Sequence, residues 1–335
     1  MAVNVRSQAI LDCAPLLVVQ SNPKMERAVH GMNLSARWFE TGADASLAAL
    51  YAHPVVVTRP GKQSVPFVFA SPHSGTLYPA SFVARSRLDP LLLRRSEDAY
   101  VDGLFGGAVA LGAPMVAARF PRAFLDVNRA PSELDSAMFD GPLHLEIDGP
   151  NARVSAGLGV IPRIVRDGAE IYRGKLLPRE AQDRLALLYR PYHRALAGLI
   201  DETRRLFGVA VVIDCHSMPS AAAAPDIVIG DRYGATAAAG LVHRAQTAFE
   251  GAGFSVVRNA PYAGGYTTQL HGRPAVGIHA LQIEVNRMLY LDEERIEPGP
   301  RYDDVRSRLG RALTGLVAAD ADLLAGGRSA TLAAE

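Results

Sequence analysis

The sequence predicts an α/β fold: a twisted, mostly parallel or mixed sheet with helices on both faces. Three observations carry that expectation. Short apolar runs that read as strands alternate with longer amphipathic stretches at helical spacing. The most strand-like run, residues 209–214, is apolar at nearly every position, as a central parallel strand covered on both faces must be. Finally, 335 residues at 49% hydrophobic and 21% charged are enough to fill a large core. A chain of this size buries roughly 75% of its unfolded surface.

Residues 1–60 lack strong periodicity and read as an N-terminal extension holding one short helix and one strand. Residues 65–70 (VPFVFA) form a buried strand, closed by the turn-like Ser71-Pro72-His73-Ser74-Gly75. Over residues 88–111, Leu88, Leu92, Tyr100 and Leu104 recur on one helical face. Residues 114–118 are a second strand. Residues 130–180, rich in Gly, Pro and charge, read as an insertion or lid within one domain spanning 1–335. Residues 182–207 carry the clearest helical stripe (Leu185, Leu188, Tyr192, Leu196, Leu199), with a kink or break expected at Pro191. Gly208 stops that helix ahead of the 209–214 strand. Strands at 226–230, 254–258 and 278–285 follow, with helices at 235–250 and 302–324.

Charge narrows the choice of partner. With 35 Lys and Arg against 34 Asp and Glu, the net charge of +1 gives no general attraction to nucleic acid or an anionic membrane. The two cysteines, Cys13 and Cys215, cannot build a disulfide framework. Asp12 and Pro15 interrupt the apolar stretch near the start, so it does not read as a secretory signal, and no run is long enough to span a bilayer. A cytoplasmic protein acting on a small molecule is the expectation.

Ligands of open α/β sheets bind beyond the carboxyl ends of the strands. Of nine histidines, His73 follows the 65–70 strand and His216 follows the 209–214 strand, which suits a transition-metal site. The third ligand of a catalytic zinc site can be a carboxylate, and Glu97, Asp98 and Asp102 offer three; a helical first turn decorated with acids is the bland alternative. Arg119, Arg122 and Arg129 lie together after a strand and suit carboxylate recognition, or simply line a solvated surface. Glu284 stands among apolar strand neighbours, where burial would raise its pKa toward that of a general base unless Arg287 pairs with it. No G-x-S-x-G elbow is present. Cys215 and His216, as strand neighbours, point to opposite faces and do not form a nucleophile–base pair. The glycine pairs Gly106-Gly107 and Gly264-Gly265 match no nucleotide-binding loop and read as turns or packing sites.

Taken in order, six blocks resemble the N-formylglutamate amidohydrolase family, whose fold is related to the zinc carboxypeptidases and aspartoacylase. They are Ser71-Pro72-His73-Ser74-Gly75, Glu97-Asp98-Ala99-Tyr100-Val101-Asp102, Asp126-Val127-Asn128-Arg129-Ala130-Pro131, Tyr189-Arg190-Pro191-Tyr192-His193, Ile213-Asp214-Cys215-His216-Ser217 and Gln282-Ile283-Glu284-Val285-Asn286-Arg287. The resemblance covers about residues 60–320. It implies one zinc ion held by His73, His216 and Asp98, with Glu97 as the alternative acid. It implies that Asn128 and Arg129 hold a substrate carboxylate, that Arg122 and Arg287 add positive charge for a second, and that Glu284 is the general base. The implied reaction is hydrolysis of N-formyl-L-glutamate to formate and L-glutamate. A deacylase or carboxypeptidase-like hydrolase of another N-acyl amino acid, or a silent ligand-binding member of the fold, are the alternatives.

Overall fold

The structure is a computed structural model that describes residues 17–20, 44–149, 151–165, 168–220 and 224–318. Its strands are β1 (Leu17–Gln20), β2 (Val55–Arg59), β3 (Phe67–Ser71), β4 (Met115–Ala118), β5 (Ala210–Met218), β6 (Ile227–Gly230), β7 (Val256–Arg258) and β8 (Ile278–Asn286). They join in one sheet in the order β1-β2-β4-β3-β5-β8-β6-β7. The β2–β4 and β6–β8 pairs are antiparallel and the other neighbours are parallel, so the sheet is mixed but mostly parallel.

All nine residues of β5 and all nine of β8 are buried, which explains their near-continuous apolar runs. Alternation sends successive side chains to opposite faces. On one face Val68, Ala70, Val212 and Ala280 pack under the helix Arg190–Phe207, with Leu196 and Leu199. On the other, Phe67, Phe69, Val211, Ile213, Leu281 and Ile283 meet the helices Ala239–Gly251 and Tyr302–Val317. Among the described residues, no helix is long and apolar enough to cross a membrane.

Three expectations change. The span 88–111 is not one helix: Pro90–Arg94 and Val101–Phe105 are separate, followed by a 3-10 turn at Gly106–Val109. Tyr100 takes a left-handed backbone (φ 63°), which interrupts helical hydrogen bonding and leaves Asp98 in the turn before it. Second, Pro191 does not break its helix. The chain runs from Pro178–Arg184 through a π-helical turn, Leu185–Tyr189, into Arg190–Phe207. The wider turn accommodates a proline that lacks an N–H and crowds the carbonyl four residues back. Third, β5 runs four residues past Asp214, so His216 lies inside the strand. The helix Ala45–Ala52 and β2 account for the helix and strand expected before residue 60, with β2 inside the main sheet. β1 adds a second strand from that segment to the sheet, while residues 1–16 and 21–43, and the end of the helix expected to reach 324, lie outside the described residues.

Gly75 closes the turn after β3. A Cβ there would overlap the Phe120 carbonyl oxygen and the Arg119 backbone, neither of which is a flexible side-chain end. Gly75→Ala is therefore expected to destabilise by about 1–3 kcal/mol through overpacking, read as a lower denaturation midpoint. An unchanged midpoint contradicts the close approach.

Candidate active site

The site follows from strand alternation and register. In the parallel β5–β8 pair, Asp214 lies beside Gln282 and His216 beside Glu284. These four therefore share one face, while Ile213, Cys215, Leu281 and Ile283 pack into the apolar core on the other. Cys215 is a free, buried thiol, and its separation from His216 is as the alternation predicts. His73 comes two residues after β3, the other neighbour of β5. Asp98 is tied to it through the backbone, its N–H donating to the His73 carbonyl at 3.1 Å.

Three donor atoms converge here. His73 Nδ1 lies 3.2 Å and His216 Nδ1 2.9 Å from the same oxygen, Asp98 Oδ2. Both imidazoles are gripped from behind: His73 Nε2 by Asp126 Oδ1 at 2.7 Å, and His216 Nε2 by Asp214 Oδ2 at 2.9 Å. Asp98 Oδ1 accepts from Arg287 Nη2 at 2.9 Å, which leaves Oδ2 facing the histidines. The ligand atoms of His73, Asp98 and His216 all lie within 4.8 Å of one another, and all three residues are buried, so they could hold one metal ion. Two imidazoles and a carboxylate form a donor set suited to zinc, and the Asp126 and Asp214 contacts fix the ring orientation such a site needs.

Charge in the cluster is tightly balanced. Burial acts to raise the Asp98 pKa, but hydrogen bonds from His216 and His73 outweigh it and hold the carboxyl well below its ordinary value. Burial likewise opposes ionisation of Asp126, and Arg122, His73 and Arg129 overcome it. Burial acts to lower the His216 pKa, yet Asp214 holds that imidazole well above its ordinary range. A site that draws positive charge onto an imidazole is also one where a cation can replace the proton.

Glu284 is the exception among the acids. Burial pushes its carboxyl up to about 7, with Asp98 adding and His216 opposing. Its Oε1 accepts from Gln282 Nε2 at 2.8 Å and not from Arg287, which spends its guanidinium on Asp98, on Ser217 Oγ and on Glu293. Arg287, expected to add positive charge for a second carboxylate, lines the cavity and is also bound to Asp98 Oδ1.

A cavity of about 430 Å³ opens over the cluster, lined among others by His73, Asp98, Arg122, Asn128, Arg129, His216, Glu284 and Arg287. The structure thus brings together every residue assigned to the site above. Glu97 is turned away onto Arg94 and the Tyr78 hydroxyl (2.6 Å), so Asp98 is the acid beside both histidines. Asp102 is not among the lining residues, and Arg119 is anchored to the His53 carbonyl. Arg122 is paired with Asp126 at 3.0 Å. Asn128 reaches His216 Nε2 at 3.1 Å and Asp214, and its Oδ1 accepts from the Thr267 N–H at 2.7 Å. Gly265, read as a turn glycine, lies directly beneath the Asn128 side chain, which a Cβ would displace.

Fold and site together define a hydrolase of the α/β class, with a histidine–carboxylate cluster under a cationic cavity. The chain belongs to the N-formylglutamate amidohydrolase family, whose profile matches residues 65–291. It is 31% identical over 241 residues to the N-formylglutamate deformylase of Pseudomonas aeruginosa, covering 69% of this chain and 84% of that protein. To the N-formylglutamate deformylase of Pseudomonas putida it is 30% identical over 238 residues, covering 68% and 83%. The crystal structure of N-formylglutamate amidohydrolase from Ralstonia eutropha superposes with a TM-score of 0.75 at 33% identity, covering 79% of this chain and 97% of that one.

The Tyr189–His193 block stands behind the site. Tyr189 donates its hydroxyl proton to the Arg129 carbonyl at 2.7 Å, and His193 Nε2 lies 2.9 Å from the Val127 carbonyl. Four residues apart on one helix, they clamp the loop that carries Asp126, Asn128 and Arg129. Burial, then His271, pushes His193 down to about 4; burial, then Arg273, does the same to His271. Both histidines have native pKa values below the unfolded value of about 6.5. Their neutral forms give full stability above pH 6.5, and it is lost as pH falls toward 4. Wild-type protein should lose about 2 kcal/mol per histidine between pH 7 and pH 5 in chemical unfolding. His193→Gln, which keeps a donor for Val127, should show a shallower loss; an identical slope contradicts the assignment.

Proposed function

We propose that this protein hydrolyses the amide bond of N-formyl-L-glutamate, giving formate and L-glutamate, with one divalent ion, zinc by donor chemistry, held by His73, Asp98 and His216. The observation that carries the reading is the meeting of both Nδ1 atoms with Asp98 Oδ2, beside the strand pair that presents His216 and Glu284. The names of the relatives point to the same substrate.

The ion, when bound, supplies Lewis acidity toward the amide carbonyl. The remaining work belongs to the chain's own residues. Asp126 and Asp214 keep each imidazole turned with Nδ1 toward Asp98. Glu284 lies beside His216 and takes the proton of the attacking water, then passes it to the departing nitrogen. Its carboxyl, pushed up to about 7, is a stronger base than an ordinary glutamate and is ionised in about half the molecules at neutrality. Arg129 meets the α-carboxylate, and Asn128, its amide already engaged, braces Asp214 and His216 behind it. This positioning matters because the formyl group itself presents almost no surface to grip. A balanced total charge and a buried, free Cys215 fit a cytoplasmic enzyme with a small-molecule substrate.

Formate release from N-formyl-L-glutamate tests the reading directly. Metal-replete wild-type protein should turn over, a chelator should abolish turnover, and added zinc should restore it; turnover that survives complete metal removal contradicts the metal role. Glu284→Gln should lower kcat by about 10²–10⁴-fold with metal content retained. Because the base must be ionised, kcat/KM should fall as pH drops below about 7, and a flat acid limb would remove Glu284 from that role. Arg129→Ala should raise KM for N-formyl-L-glutamate by about 10–100-fold, and an unchanged KM would remove Arg129 from carboxylate binding.

A further inference from the structure

A glutamate derivative carries two carboxylates, and the site described above provides a recognised holder for one. Arg122 is committed to Asp126 and Arg287 to Asp98, Ser217 and Glu293. Arg153 also lines the cavity. Among the described residues its guanidinium makes no hydrogen bond and no ion pair.

We propose that Arg153 binds the side-chain carboxylate of the substrate, so that the 130–180 segment supplies selectivity for a dicarboxylic amino acid. This inference rests on the reaction proposed above and adds to it the residue that reads the acid's length and charge.

Position supports it. Arg129 Nε donates to the Leu158 carbonyl at 3.1 Å, and the Leu158 N–H donates to the Arg153 carbonyl at 2.9 Å. One residue thus links the Arg129 guanidinium to the backbone that carries Arg153. On the other side, Arg129 Nε is 4.0 Å from Asp126, which holds His73. Moving outward from His73 the order is Asp126, Arg129, Arg153. The α-carboxylate, adjacent to the scissile nitrogen, falls to Arg129, and the carboxylate two methylenes further falls to Arg153. Leu158, Pro162, Ile164 and Val165, from the same segment, give the methylenes an apolar wall.

Charge supports it as well. Burial, then the neighbouring Arg122 and Arg153, push the Arg129 pKa down, with Asp126 opposing. Like charges gathered in one cavity repel until an anion enters, and a dianion relieves both arginines at once. The segment is also fixed in place: the Asp126 N–H donates to the Val160 carbonyl and the Val160 N–H to the Glu133 carbonyl, each at 2.8 Å. Arg153 itself is exposed, so its substitution leaves the core alone.

The test compares N-formyl-L-glutamate with N-formyl-L-glutamine, its uncharged isostere, in wild type and Arg153→Met. Wild type should prefer the glutamate substrate. In Arg153→Met, kcat/KM for N-formyl-L-glutamate should fall about 10–100-fold, mostly through KM, as expected for losing a charge-assisted pair. The glutamine substrate should lose less than about threefold, leaving selectivity near one. An equal fall on both substrates, or no fall on either, overturns the proposal. Calorimetric binding of glutarate, which needs no turnover, separates the two readings. Arg153-dependent glutarate binding by a protein that does not release formate keeps the subsite and removes the reaction; formate release with Arg153-independent selectivity does the reverse.

Discussion

Two imidazoles turned toward one carboxylate, in a place almost closed to solvent, have to be held from behind. A free histidine ring rotates and exchanges tautomers, and three buried polar groups without partners cost several kcal/mol. Asp126 and Asp214 meet that need by engaging the Nε2 atoms, and Arg287 does so for Asp98 by engaging Oδ1. Each donor that faces the centre is thus fixed by a second residue on its far side. Nearly everything else in the cavity follows from this: Arg122 neutralises Asp126, Asn128 braces Asp214, and Glu284, left without a cation of its own, keeps a raised pKa.

The sheet makes the arrangement affordable in conformational terms. Because β5 and β8 are parallel and in register, His216, Gln282 and Glu284 reach the cavity from two wholly buried strands, with Asp214 behind His216. Loops supply the rest: His73 and Asp98 complete the cluster from the turns after β3 and before Tyr100. Asp126, Asn128 and Arg129 ride on a loop clamped by Tyr189 and His193, and residues 151–165 are stitched onto that loop by backbone hydrogen bonds. Strands and anchored loops thus share the cluster, and the loops also line the cavity.

Much of this was legible in the sequence. Apolar runs located β3, β4, β5 and β8, because strands buried on both faces have little choice of residue. The two histidines stood out because each follows a strand-like run, and Glu284 as a carboxylate among apolar strand neighbours. Asp214 could have been found the same way: it is two residues from His216, and period-two alternation puts both on one face. Asp126 could not, since it lies on a loop with no period and its partner His73 is more than fifty residues away. The turn that presents Asp98 was hidden because Leu88, Leu92, Tyr100 and Leu104 mimic a continuous helix; only the left-handed backbone at Tyr100 reveals the break. Which cavity arginines already have acidic partners, as Arg122 and Arg287 do, is a property of the folded packing and not of composition. A net charge of +1 likewise conceals a cavity lined by several arginines.

The central claim is that His73, Asp98 and His216 hold one ion, oriented by Asp126 and Asp214. X-ray absorption at the metal edge of the zinc-loaded protein addresses it most directly. The account predicts one ion per chain with two imidazole nitrogens and carboxylate oxygen in its coordination shell, and one imidazole fewer in His216→Ala. A sulfur ligand, or an imidazole count that does not change when His216 is removed, would contradict it.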